Sequence, residues 1–475
     1  MKFKKLISFI MVVAMCITMV ACGEKKTDSN PGTDKSADTA ADTADDASKT
    51  NDDAAGDKAD AAPSGKLVVW TLAADLQQFS QHYMETYPDV EVETVVIAPA
   101  DYPTKVQSAL LGGEKEPDII VGEPQMLQNM FDAGFFEDLN KAPYNAQDYA
   151  DKIVDYVWKV GQDASGIQRA ISYQITPAGI YYRRDIADKV FNTSDPAEIG
   201  KLFKDYPTIL ETAKKLKSAG YKIFASDGEM NYFSGDSAWV VDGALNVSKS
   251  RLDYMDLAIQ LYQNEYTAFA ASWSAPWYQA MSGPVPILTA DVNVWDETAL
   301  AEASADAQMT EVFAYGLPAW GTLVMRDNYG DTAGKWGVCS GPAYGFGGGT
   351  YIGISANSAR KDLAWDYLKF CTLTQETMEW WIQASEGDTV SYIPTLEAHE
   401  NDENSVYGGE KLYQFWLEQA KGIDYSKVTK YDTIIGDAWG AAITSIKTGE
   451  KSKEDALTEF YDLVESNYPE LTINR

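Results

Sequence analysis

Two hydrophobic rhythms alternate along the first folded stretch of this chain. In "KLVVWTL", Leu67–Thr71 is a continuous apolar run, the pattern of a strand buried on both faces. Leu76, Phe79, Tyr83 and Tyr87 then recur at helical spacing, with Asp75 as candidate cap. A second strand is predicted over Val90–Ile97. A helix follows in "DYPTKVQSALLGG", with Asp101 as candidate cap and Gly112 as stop. Asp118–Val121 reads as a third strand and "PQMLQNMFDAG" as a third helix. This β-α-β-α-β order implies right-handed crossovers and a parallel sheet. Ligands of such sheets sit beyond the carboxyl ends of the strands. Those ends fall at Leu72–Asp75, Ala98–Asp101 and Gly122–Gln125, so Asp75 and Glu123 are candidate ligand groups. Helix capping or a solvated loop is the alternative reading for each.

Farther on, "ISYQITPAGIYYRRD" is strand-like but broken by Pro177 and Gly179. From about Asp185 to Gly283 the pattern is mainly helical. Strands are predicted in "EVFAYGLPAWG" and "KWGVCSGPA". The stretch "GPAYGFGGGTYIGIS" then places four glycines within Gly345–Gly349, immediately before an apolar run. A helix with Ser358 as candidate cap follows, and the C-terminal third is helical again.

Composition narrows the function. The chain has 475 residues, which points to two lobes, and 45% apolar residues, enough for real cores. Its net charge of −32 argues against nucleic acid and anionic lipid, since no surplus of Lys and Arg exists to neutralise phosphates. Thirteen Trp and 28 Tyr exceed what an ordinary core needs and can serve as flat stacking faces.

The N-terminus reads as an export signal. Lys2, Lys4 and Lys5 precede an apolar run from Leu6 to Ala21 that is short for a membrane span. It ends in "MVAC", similar to the lipobox of bacterial lipoproteins, with Met19 where Leu is usual and Cys22 as the lipidated residue. Residues 22–65, rich in Asp, Ala, Thr and Ser, form an acidic tether without enough apolar surface to fold, with a reach of roughly 35 Å. Beyond the signal only Cys339 and Cys371 remain, without zinc spacing.

No strong catalytic motif is present. GxSxG, HExxH, an EF-hand loop and GxxxxGK[ST] are all missing, and the two histidines, His82 and His399, have no evident partner. The glycine stretch fails the GxGxxG pattern at Thr350. A strand follows it where a phosphate loop needs a helix N-terminus.

Taken in order, "KLVVWTL", "EPDIIVGEPQ", "FDAGFFEDL", "YQITPAGIYYRRDI", "VFAYGLPAW", "GKWGVCSGPA", "ARKDLAWDYLKF" and "SYIPTLEA" resemble the extracellular solute-binding proteins of carbohydrate ABC importers, the group of maltose-binding protein. The resemblance spans Lys66 to the end. It implies a two-lobed α/β fold in which each lobe is a mainly parallel sheet flanked by helices. Lobe 1 would be residues 66–176 and 352–393, and lobe 2 residues 177–351 and 394–475. Crossings are expected near Thr176–Gly179, Tyr351–Ile354 and Tyr392–Pro394. With Cys339 and Cys371 on opposite lobes, a disulfide would clamp the hinge, so two free buried thiols are expected. The resemblance further implies a monomer without cofactor or metal, a carbohydrate ligand in the interlobe cleft, and ABC permease subunits as partners. It assigns the cleft tryptophan to Trp320 and a sugar-facing helical aromatic to Trp439, for which core packing is the alternative. Gln174 and Thr176 lie in the first crossing. Gly348, Gly349, Thr350 and Tyr351 would offer bare backbone and a wall to the ligand. Trp239, Trp273, Trp277 and Trp295 are further candidate stackers. Pro284–Asp306 fits the family pattern poorly. A polyamine, peptide or anion on the same fold, and a glycan-active enzyme, are the competing readings.

Overall fold

In the computed structural model, residues 62–475 are described. The signal, Cys22 and nearly all of the tether lie outside them. The first sheet is built from β1 (Gly65–Thr71), β2 (Val90–Val96), β3 (Ile119–Gly122), β4 (Ile171–Ser172) and a strand at Tyr351–Ile354. Its order is β2, β1, β3, Tyr351–Ile354, β4. β1 runs parallel to both β2 and β3, with Trp70 opposite Val95 and Ile120. Helices α1 (Asp75–Thr86), α2 (Tyr102–Leu111) and α3 (Pro124–Asp132) connect these strands. α1 buries Leu76, Phe79 and Tyr83, the apolar face the spacing predicts. Asp118 enters β3 fully buried. It accepts hydrogen bonds from the Val68 amide at 2.9 Å, the Ser358 hydroxyl at 2.6 Å and Arg360 at 2.7 Å. Ser358 is thus a tie to β3. The helix expected to start at it begins at Lys361, with Arg360 as N-cap.

The second sheet joins β5 (Ala178–Arg183), β6 (Lys222–Phe224), Val312–Pro318 and Trp336–Cys339. The two-lobed α/β fold is as expected, and each sheet is mainly parallel with one reversed strand. In the second sheet the reversed strand is β5, antiparallel to both Val312–Pro318 and Trp336–Cys339, while Val312–Pro318 runs parallel to β6. In the first sheet, Tyr351–Ile354 runs antiparallel to β3 and β4. The cause is topological: strands that leave one lobe and return from the other enter the sheets in the opposite sense.

Buried apolar residues form two clusters. One fills the first sheet and its helices and extends through Tyr181, Tyr315 and Trp416. The other holds Phe203, Phe224, Leu257, Trp439 and Phe460. Between them the crossing segments are laced together. The Ser391 amide bonds the Tyr173 carbonyl at 2.7 Å, the Thr389 hydroxyl bonds the Ile175 carbonyl at 2.6 Å, and the Gly347 amide bonds the Thr176 carbonyl at 3.2 Å. Cys339 and Cys371 are free and buried.

Candidate ligand-binding cleft

The tips of β1 and β3 open onto a cavity of about 690 Å³. Asp75 and Glu123 reach it from these tips, Gln174 from the first crossing, and Gly347–Thr350 from the glycine loop. Tyr232 and Trp320 line it where they pack on the glycine loop, and Trp273 and Asp432 line it as well.

The α1 N-cap is Ala74, not Asp75, and the Asp75 carboxylate makes no cap bond. It accepts instead from the Tyr173 hydroxyl at 2.9 Å. Burial raises its pKa, opposed by that hydrogen bond and by the Arg326 charge. Glu123 precedes α3 with extended backbone and no cap bond. Its carboxylate accepts from the Gln125 amide. Burial raises its pKa too, opposed by Gln125. Behind the wall, Asp388 is fully buried and pushed up to about 7, first by burial and then by the Asp75 charge. It accepts from the Trp381 indole at 3.0 Å and the Gln174 amide at 3.3 Å. The Gln174 amide nitrogen is thus turned toward Asp388.

Part of the lining is aromatic. Trp273 and Trp320 stack with ring centroids 5.7 Å apart and planes 28° apart, and Tyr232 meets Trp320 edge-on at 6.2 Å. Trp320 is fixed by its indole N–H, which donates to the Gly347 carbonyl at 2.9 Å. Trp273 is 44% exposed and sits at φ +71°, a backbone conformation that large residues rarely adopt. A second cavity of about 580 Å³ adjoins the first through Tyr232 and Trp273. It contains Glu229, fully buried and pushed up to about 7 by burial, which accepts from the Trp277 indole at 2.7 Å.

The match to known proteins decides the family. The family model described as bacterial extracellular solute-binding protein matches residues 78–406. The chain belongs to that family. Its place of work is accordingly outside the cytoplasm, and no helix among the described residues is long and apolar enough to cross a membrane. No curated protein sequence matches it. Among solved structures, an extracellular solute-binding protein of family 1 superposes with TM-score 0.68 at 17% identity, covering 85% of this chain and 99% of its own. An ABC transporter-associated binding protein from B. animalis subsp. lactis Bl-04, in complex with β-1,6-galactobiose, has TM-score 0.63 at 18% identity, covering 87% and 100%. The GacH receptor of Streptomyces glaucescens, solved unliganded and with acarbose, has TM-score 0.63 at 13% identity, covering 86% and 100%.

In this solute-binding protein the residues singled out in the sequence fall in several places. Asp75, Glu123, Gln174, Trp320, Gly348, Gly349 and Thr350 line the first cavity. Thr176 and Tyr351 lie beneath it, both 2% exposed. The Thr176 hydroxyl donates to the Gly348 carbonyl at 3.2 Å, and Tyr351 pairs with Gly122 and Ser172. Trp277 and Trp439 line the second cavity. Trp439 is 4% exposed, packs on Trp239 and Phe460, and its indole N–H has no partner among the described residues. Trp295, 64% exposed, lies in neither cavity. Reading the sequence missed Tyr232, Phe346 and Asp432. Phe346 was marked by the glycines around it. Tyr232 and Asp432 carried no local signal, because distant chain segments bring them to the cleft.

Proposed function

We propose that this protein captures a carbohydrate, an oligosaccharide, between its lobes and delivers it to an ABC importer without chemically altering it. The observation that carries this reading is the Trp273–Trp320 stack lining one cavity together with Asp75, Glu123 and Gln174. A sugar ring offers CH faces to aromatic rings and hydroxyls to fixed polar groups. Each aromatic contact contributes about 0.5–1.5 kcal/mol beyond area burial. A buried polar group left unpaired by a wrong sugar costs about 1–3 kcal/mol, which provides selectivity. Micromolar capture needs only about −8 kcal/mol in total. The galactobiose and acarbose complexes of the structural neighbours support the same ligand class. In this reading the crossings at Thr176–Gly179, Tyr351–Ile354 and Tyr392–Pro394 form the hinge, the permease subunits recognise the closed form, and a lipid on Cys22 holds the protein at the outer face of the membrane.

A thermal-shift screen against oligosaccharides, amino acids and small anions tests this. Ligand at about a hundred times Kd stabilises the native state by about 2.7 kcal/mol, so Tm should rise by several degrees with one sugar. A rise with amino acids or anions alone, or catalytic turnover of a glycan, contradicts it.

A further inference from the structure

The side-chain acceptors Asp75, Glu123 and Gln174 of the first cavity sit beside side-chain donors that are engaged, while the Tyr232 hydroxyl and the Gly348 and Gly349 amides also line it. The Gln174 amide N–H group faces Asp388 at 3.3 Å and the Tyr173 oxygen at 3.4 Å. Gln174 is 6% exposed, and its Oε1 has no partner among the described residues. The Gln125 amide is turned onto Glu123, and the Tyr173 hydroxyl onto Asp75. The Thr176 hydroxyl and the Trp320 indole donate to loop carbonyls. Three carboxylates, Asp75, Glu123 and Asp432, line this cavity, and no Lys or Arg among the described residues does. The nearby cations are engaged elsewhere. Arg326 bonds Asp327 and the Ser385 carbonyl, while Arg251 bonds the Asn246 and Ser237 carbonyls and lies over the Trp239 ring, 3.8 Å from its centroid.

Carboxylates with no lining Lys or Arg ask for a ligand that brings donors and, where they are partly buried, a positive charge. An ammonium group supplies three donors, no acceptor and that charge. The Trp273–Trp320 faces suit a cation as well as a CH surface. We propose that the ligand of this cleft carries a protonated amine seated against Asp75, Glu123 and Gln174. The proposal rests on the reading that this cleft is the solute site. The amine belongs either to an amino sugar or to a polyamine, and the carboxylate wall serves both.

Isothermal titration of the full chain at pH 7 tests the proposal with a β-1,4-linked glucosamine trisaccharide, its fully N-acetylated counterpart, maltotriose and spermidine. Acetylation removes the charge while keeping the ring and linkage. The expected result is that the free-amine trisaccharide binds about tenfold or more tighter than the acetylated one. Glu123→Gln, and separately Asp75→Asn, should reduce that ratio with thermal unfolding still cooperative. Using both variants covers a folding defect in either one. Binding of spermidine without any sugar supports the amine and contradicts the carbohydrate reading. Equal or tighter binding of the acetylated sugar, binding of maltotriose alone, or no binding of either amine overturns the proposal. Maltotriose binding would leave the carbohydrate reading standing.

Discussion

Trp320 and Glu229 show how single side chains shape the cleft. Trp320 holds the glycine loop through its indole and presents a face to the cavity. Trp320→Ala should weaken sugar binding by about 1–2 kcal/mol, roughly tenfold, with the fold intact; titration calorimetry reads this directly. Glu229 enters its buried site with an acid already difficult to ionise. Its pKa rises from 4.5 to about 7, first through burial, opposed by hydrogen bonds from Trp277, Ser226 and Gly316. At pH below 4.5 the carboxyl is protonated in folded and unfolded chains alike. Between 4.5 and 7 only the unfolded chain ionises, so this group lowers stability by about 3 kcal/mol as pH rises through that window. Acidification from pH 7 to 5 should therefore raise the Tm of the native protein relative to Glu229→Gln, and a scan of both against pH checks it. A parallel pH dependence in the two proteins would contradict the assignment.

At the scale of elements, the glycine loop sits between the lobes with no room for side chains at its first turns. A methyl group at Gly345 would run into the Tyr232 carbonyl, and one at Gly347 into the Tyr232 ring. Gly348 and Gly349 adopt φ of +70° and +120°. Gly345→Ala should cost about 1–3 kcal/mol in urea unfolding and should also weaken ligand binding by displacing Tyr232. Unchanged stability would show that the loop can shift freely. The β-α-β-α-β unit was legible because its hydrophobic periods are long and regular and its connections short. From it came the two strand tips that carry Asp75 and Glu123. The role of Asp75 was legible only in part: its position beside a helix start invites a cap, and only the fold brings Tyr173, some 98 residues away, to hold it instead. The one reversed strand in each sheet was not legible, since strand direction in a crossing depends on the lobe it returns from. Tyr232 and Asp432 have no periodic signal, and Trp439 has the spacing of both a core and a cleft residue.

The whole molecule gathers Tyr232, Trp273 and Trp320 with Asp75, Glu123, Gln174 and Asp432 around one cavity, with Thr176 and Tyr351 buried beneath it. One contact already spans the mouth: the Thr433 hydroxyl donates to the Gln125 carbonyl at 3.3 Å. Closure over a solute would bring these groups onto it. The most direct test is a crystal structure of the protein with a saturating sugar identified by thermal shift. The account predicts sugar density between the Trp273–Trp320 stack and Asp75, Glu123 and Gln174, with the lobes closed on it. Density at another surface, with this cavity holding only water, would contradict it.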